Sequence, residues 1–475
     1  MRKRLAAALC LALALPLGAP SVHAETQGST EAQTPTSDLY LRRRPPGAPV
    51  RVPKDLEPLI REREAKAAER RAEAIRLLEL LLKESPHGVA AAEAIFKLAE
   101  LSWEEAKRRY VSEMGRYERQ LEACRRRDPA CVGPPTQPRL DLDKSTKLYT
   151  RLVAEFPSYR RIDLAKYLIG FSARERGDKD ALGWFQRVID EHPDSPLVAD
   201  SWMMIGEHHF GTTLDFKLAR EAYLHVLDHP TASVYDLALF KVAWCDWKLG
   251  DTASAALRFK KVLDLAAEAE RSGSNELRRR RAQLRDEAIE YLIVLLSDDE
   301  SVTAKDAYDF LASIGGERYS REVLSKLADR FGAQTRYDRA IPAYQFLLSL
   351  DADHPDAPKY QIAIVDAYMS LDQADKALEA AKTLADEFGP KSAWAKANQD
   401  RKAVLAKTLA AAEEALRTLG KRLHEDAQRS EKDSRKIDPV RYGRAAEVYA
   451  FYLERFGASP SAGESRNWYA GIARS

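Results

Sequence analysis

The sequence predicts an all-α protein, a solenoid of about eight helical hairpins. Three observations carry that expectation. An aliphatic residue and a small one, then a turn, then Ala-x3-aromatic is written three times within residues 163–267. Marker prolines Pro157, Pro193 and Pro230 recur every 36–37 residues. Ala, Leu, Glu, Lys and Arg are abundant while Gly and Pro stay modest, a composition that favours helix along nearly the whole chain.

A chain of 475 residues would ordinarily divide into several domains. Stacked repeats instead share one continuous core whatever their number. Apolar residues at 45% suffice to bury it. The 75 basic residues nearly cancel the 73 acidic ones, so no global field draws the chain to nucleic acid or to a membrane surface.

Residues 1–24 read as a signal peptide. Met1-Arg2-Lys3-Arg4 is its basic start, 5–17 its apolar core, and Val22-His23-Ala24 a small-x-small cleavage site. That core is too short to span a membrane, and no later run of 18 apolar residues exists. Cys10 lies inside it behind Leu9, where a lipidation motif wants a small residue. The expected product is a soluble periplasmic or secreted protein without an integral membrane span. Residues 25–54, rich in Thr, Ser, Gln and Pro, read as a disordered tether. Its segment LYLRRRPPGAPVRVP, at 39–53, reads as a linker favouring extended backbone.

Residues 55–160 are expected to hold a charged capping helix and N-terminal hairpins. Ala74, Leu78, Leu81 and Pro86 match second-helix positions, and REREAKAAERR before them reads as a solvated cap. Val89–Arg127 reads as one long helix, its packed start marked by Leu98-Ala99 and Trp103. An insertion at 124–140 follows, and Ser145, Tyr149, Leu152 and Pro157 restore the pattern. Residues 161–270 carry the three clear repeats. Their small positions are Gly170, Gly206 and Ala243, and their Ala-aromatic pairs Ala181 with Phe185, Ala219 with Tyr223, and Ala255 with Phe259. A small residue lets two antiparallel helices approach at their crossing, and the ring fills the groove that results. The third repeat's second helix is expected to run on into AEAERSGSNELRRRRAQLRDE.

Residues 271–391 hold further repeats. Ala288–Leu296 and 304–314 form a degenerate pair, followed by Leu327-Ala328 with Ala340-x3-Tyr344 and by a hairpin through Val365, Tyr368, Ala377 and Leu384. Residues 392–475 read as a second long helix from Trp394 to about Glu425, a polar stretch, Ala445-x3-Tyr449, and a final first-type helix that either caps the array or opens a further hairpin.

Of the cysteines left after cleavage, Cys124 and Cys131 flank a short loop, and export favours a disulfide between them over two free thiols. Cys245, between two tryptophans, reads as a buried small hydrophobe. No catalytic constellation appears. Gly389-Pro390-Lys391-Ser392 lacks a phosphate loop's upstream glycine, and neither Gly-x-Ser-x-Gly nor His-Glu-x-x-His occurs. His208 and His209 point about 100° apart on a helix, a poor chelate, and His209 falls at a packed aromatic position. The run Arg278–Arg281 reads as a solvated helix face, without the interleaved aromatics of a nucleic-acid surface. No cofactor, metal or nucleic acid is expected.

The repeated Trp202-x2-Ile205-Gly206, Ala219-x3-Tyr223 and terminal Pro230 resemble the tetratricopeptide repeat, a helical hairpin whose first helices line a groove for partner segments. The resemblance implies a right-handed α-solenoid. It places Tyr167, Phe171 and Arg174, then Met203, Glu207 and Phe210, then Phe240, Trp244, Trp247 and Lys248 along that groove. Large rigid side chains are what binding hot spots use, although a tight superhelix would bury the same residues as core. With a signal peptide, the chain is similar to exported Gram-negative envelope proteins of this kind, including those of myxobacterial gliding-motility complexes. That implies a non-catalytic adaptor for protein partners in the cell envelope. The alternatives are an accessory part of an envelope-processing enzyme and self-association through the ends of the array.

Overall fold

The computed structural model describes residues 57–126, 133 and 135–472. The segments expected as signal peptide and tether, and Cys131, lie outside them. The chain divides at residue 60 into two units, and the repeats occupy the second, Arg61–Ser475. Among the described residues every regular element is helical, and consecutive helices stack side by side as a solenoid.

In chain order, α1 (Glu57–Glu84) and α2 (Val89–Arg125) precede α3 (Asp143–Glu155). Then α4 (Ile162–Arg176) pairs with α5 (Ala181–Glu191), α6 (Val198–His208) with α7 (Phe216–Leu227), and α8 (Tyr235–Lys248) with α9 (Thr252–Ser272). α10 (Asn275–Asp298) and α11 (Ala304–Ser313) lead to the pairs α12 (Glu317–Ala333) with α13 (Tyr337–Leu350) and α14 (Ala357–Ser370) with α15 (Ala374–Glu387). The short α16 (Ala393–Ala397) precedes α17 (Lys402–Ser434), which pairs with α18 (Pro439–Phe456), and α19 (Ala462–Ile472) follows.

Each clear hairpin closes on the small-residue crossing. A Cβ added at Gly206 would lie 2.5 Å from Cε1 of Tyr223, and one at Gly170 would lie 3.0 Å from Cε1 of Phe185. The rings of Phe185, Tyr223 and Phe259 are fully buried. Gly420 on α17 makes the same approach, with its would-be Cβ 2.7 Å from Cε1 of Tyr449. The last hairpin therefore repeats the closure with much longer helices.

The turns are shared too. Gly177 and Gly250 adopt left-handed backbone, φ 76° and 84°. They let Asp178 N–H reach the carbonyl of Ala173 at 2.8 Å, and Asp251 N–H that of Asp246 at 2.9 Å. Thr335 and Asp372, φ 58° and 57°, support the same six-residue closure without glycine. Between α6 and α7 the chain instead inserts a π-turn, His209–Thr213, and Leu214 takes the left-handed position. Asp215 then caps α7, accepting from the N–H groups of Lys217 and Leu218 at 3.1 Å each.

Several expectations are corrected. α1 buries none of the side chains described along it: Ala74 and Leu78 are half-buried, Leu81 is exposed, and Leu82 packs against the core around Phe96 and Tyr149. α9 does not run on past Ser272. Gly273 breaks it and Ser274 caps α10, accepting from Leu277 N–H at 3.2 Å, so the two helices fold back on each other. α10 packs between α9 and α12, and α11 against α12 and α13, so the degenerate pair does not close as a hairpin. The helix expected from Trp394 breaks after Ala397. Asn398 Nδ2 donates to the carbonyls of Asp353 at 2.9 Å and Trp394 at 3.1 Å, while Trp394 Nε1 donates to His354 O at 2.8 Å. α17 continues through the polar stretch to Ser434, where an end near Glu425 was expected.

His424 ties the last three helices, its ring centroid 5.8 Å from Tyr442, 6.0 Å from Tyr449 and 6.4 Å from Trp468. Burial holds its pKa below the ordinary value of 6.5, against the opposing pull of Glu425. The unfolded chain then takes up the proton first, so stability is retained above about pH 6.5 and falls as pH drops below it. A thermal scan of the wild type should show lower stability at about pH 5 than at about pH 7.5, and His424→Gln should reduce that difference. At the first clear crossings, Gly206→Ala should destabilise by about 1–3 kcal/mol through the clash with Tyr223. Gly183→Ala, in open space on α5, should stabilise by about 0.5–1 kcal/mol. Urea unfolding of the two variants measures both.

Candidate protein-binding surface

Trp244 and Trp247 stand one turn apart on α8 and so share a face. Their centroids are 5.8 Å apart and their planes cross at 86°. Tyr291 of α10 backs them at 6.3 and 5.7 Å. Phe210 and Phe216 back Trp244 from the previous repeat at 4.7 and 5.7 Å. Trp244, Trp247, Phe216 and Tyr291 are all half-buried, whereas Lys248 is exposed. Trp244 also joins the core, packing against the buried group around Phe210 and Tyr223 and against the one around Phe240 and Phe259.

Beneath this surface lies a buried polar seam. Glu207 Oε1 accepts the Tyr223 hydroxyl at 2.7 Å and lies 3.1 Å from Lys241 Nζ. The ammonium sits 4.0 Å over the Phe210 ring and off the hydrogen-bonding direction to the carboxylate, so the contact is an ion pair by distance alone. Burial, then Glu207, pushes the Tyr223 hydroxyl well above its usual range. Asp246, on the same helix and 1% exposed, accepts from Arg220 of α7 at 2.6 Å and also pairs with Arg258 of α9. Asp236 at the start of α8 accepts from Arg281 Nε of α10 at 2.8 Å.

The expected groove residues separate into two groups. Tyr167, Phe171, Met203, Phe210 and Phe240 are buried, so they do not line an open groove. The physical reason is the neighbouring element in each place. Trp103 of α2 covers Phe171 at 5.5 Å, and Phe185 meets Tyr167 at 5.5 Å. Phe259 and Tyr291 enclose Phe240 at 5.5 and 5.7 Å. Glu207 is likewise buried in the seam. Arg174, half-buried, points Nη1 to Met204 Sδ at 3.6 Å, and Trp244, Trp247 and Lys248 keep solvent access.

His209 is half-buried and does not fill the core; the π-turn delivers Phe210 there instead. His208 is held below its ordinary value by burial, then by His209 and Arg174. Arg278, Arg279 and Arg280 are exposed, as expected of a solvated face, whereas Arg281 is half-buried and also donates to Leu265 O at 2.9 Å. Cys245 is fully buried and free, its thiol pushed up to about 12 by burial. Cys124 is disulfide-bonded.

Sequence reasoning missed Phe216 and Tyr291. Phe216 follows a turn of unusual length, and Tyr291 sits in a stretch without repeat markers; an aromatic at the right offset on α10 was the available signal. No group of three His, Cys, Asp or Glu residues gathers to hold an ion, and no helix is long and apolar enough to cross a membrane, among the described residues.

These features define a helical-hairpin repeat array with one aromatic, partly open face. The tetratricopeptide repeat family profile matches residues 164–195, which cover α4, α5 and the turn after them. No curated protein sequence matches the chain. Among solved structures, a circular tandem repeat protein with novel repeat topology and enhanced subunit contact surfaces is 14% identical, at TM-score 0.20, over 88% of this chain and 91% of its own. The P58(IPK) TPR domain is 14% identical, at TM-score 0.19, over 77% of this chain and 99% of its own.

The buried seam makes its own prediction. Lys241→Met leaves Glu207 buried without its counter-charge and should destabilise by about 3–5 kcal/mol. Adding Glu207→Gln should recover much of that loss in a double-mutant cycle read by urea unfolding.

Proposed function

We propose that this chain is a non-catalytic scaffold that binds protein segments on the surface centred on Trp247, after export, as part of a cell-envelope complex. The observation that carries the binding role is the half-open cluster of Trp244, Trp247, Phe216 and Tyr291, on an array where Phe185, Tyr223, Phe240 and Phe259 are buried. Rigid aromatics that retain an open edge supply contact area at little entropic cost. The repeat match at residues 164–195 supports the same class of role, since such hairpins commonly hold partner segments.

The envelope setting rests on the basic-apolar-small pattern of residues 1–24. The resemblance to exported tetratricopeptide proteins of gliding-motility complexes makes that machinery the specific proposal within the envelope.

The test is crosslinking in native envelopes followed by partner identification. Trp247→Leu should remove a partner captured by the wild type while lowering stability by only about 1–2 kcal/mol, because the side chain is half-buried. Phe240→Leu, inside the core, should act through stability alone. Capture that survives Trp247→Leu in a folded protein would sink the proposal for this surface.

A further inference from the structure

Lys248 is exposed, yet its ammonium lies against rings. Nζ is 4.6 Å from the Trp244 centroid and 4.5 Å from that of Trp247. Among the described residues it is the one cation placed over two different aromatic rings, and no carboxylate lies within ion-pair distance of it. The two indole planes cross at 86° to form a corner, and the one ammonium lies over both rings. Each face attracts a cation through its quadrupole. Lys248 also ends α8, where the partial negative charge of the helix terminus adds to that attraction. Tyr291, Phe210 and Phe216 brace the corner from behind, so it does not depend on Lys248 for its shape.

We propose that the Trp244–Trp247 corner is a cation-docking point that takes one lysine or arginine side chain from a partner segment, and that Lys248 is a resident occupant displaced on binding. The inference rests on the reading of this face as the protein-binding surface and gives its partner a chemistry: a basic side chain flanked by apolar ones. The incoming cation replaces the resident one on the same two rings, so the exchange itself is nearly neutral. Apolar contacts with the solvent-accessible parts of the aromatic cluster, including half-buried Phe216 and Tyr291, then drive binding. Lys248 sets a threshold that a bare cation does not overcome.

The test uses the full chain and a synthetic peptide, acetyl-Leu-Lys-Leu-Arg-Leu-amide, beside its neutral counterpart with norleucine and citrulline. Binding is followed by tryptophan fluorescence and indole N–H shifts. Lys248→Met should bind the basic peptide about fivefold more tightly than the wild type, since the competitor is gone. The neutral peptide should show no such gain. Adding Trp247→Leu should abolish the gain while the melting temperature stays close to that of Lys248→Met. Unchanged or weaker binding by Lys248→Met overturns the proposal, as does equal binding of the neutral peptide. An envelope partner lost with Trp247→Leu but insensitive to Lys248→Met overturns the cation corner alone. A wild type that crosslinks nothing overturns the wider reading.

Discussion

The structure depends on one contact, the approach of a second-helix ring to a first-helix position that has no room for a side chain. At Gly206 and Tyr223 the two are so close that a single added carbon would overlap the ring. The contact sets the separation of the paired helices and turns the ring fully inward. It also decides which side of the first helix is left over for the next hairpin. Gly170 with Phe185 and Gly420 with Tyr449 obey the same constraint at distant points of the chain. Helix length is then free to vary, because the crossing fixes the pair at one point and the rest of each helix only has to run alongside. That is how α4 with 15 residues and α17 with 33 serve the same architecture.

Once hairpins are closed this way, the stack must be held in register, and here buried carboxylates do what apolar packing does not. A hydrophobic face tolerates sliding, whereas an acid that must meet a particular guanidinium does not. Asp246 meets arginines from the helix before and the helix after its own, and Asp236 reaches forward to Arg281. The aromatic face lies over this seam, so its geometry is inherited from charges that partners never touch.

The hairpins were legible where local chemistry repeats. Small residue, turn and Ala-x3-aromatic mark the three pairs between 163 and 267, and Pro193 and Pro230 stand just past the helix ends. The α17 closure went unread, although Leu419-Gly420 has the same form as Ile169-Gly170, because its aromatic lies 29 residues away instead of 15. The turns at Thr335 and Asp372 were invisible for another reason: they take left-handed backbone without the glycine that announces it. At the candidate site, residue identity was readable and exposure was not. Phe171 and Phe240 are covered by Trp103 and Tyr291, whose positions follow from α2 and α10, long helices that depart from the repeat's regular spacing. Arg281 departs from its otherwise exposed run for a similar reason, since its pairing with Asp236 spans 45 residues and has no local trace.

The placement of Asp246 bears on how the array comes apart. A stack joined only to nearest neighbours frays from its ends inward, one hairpin at a time. A carboxylate clasped from both sides makes α7, α8 and α9 release together, because freeing either arginine leaves a buried anion half-satisfied. The middle of the array therefore behaves as a single cooperative block between more yielding flanks. α1, whose leucines Leu77, Leu80 and Leu81 face solvent, belongs to the yielding end. A stack with a stiff centre and compliant ends keeps its central face in shape while the outer hairpins absorb strain.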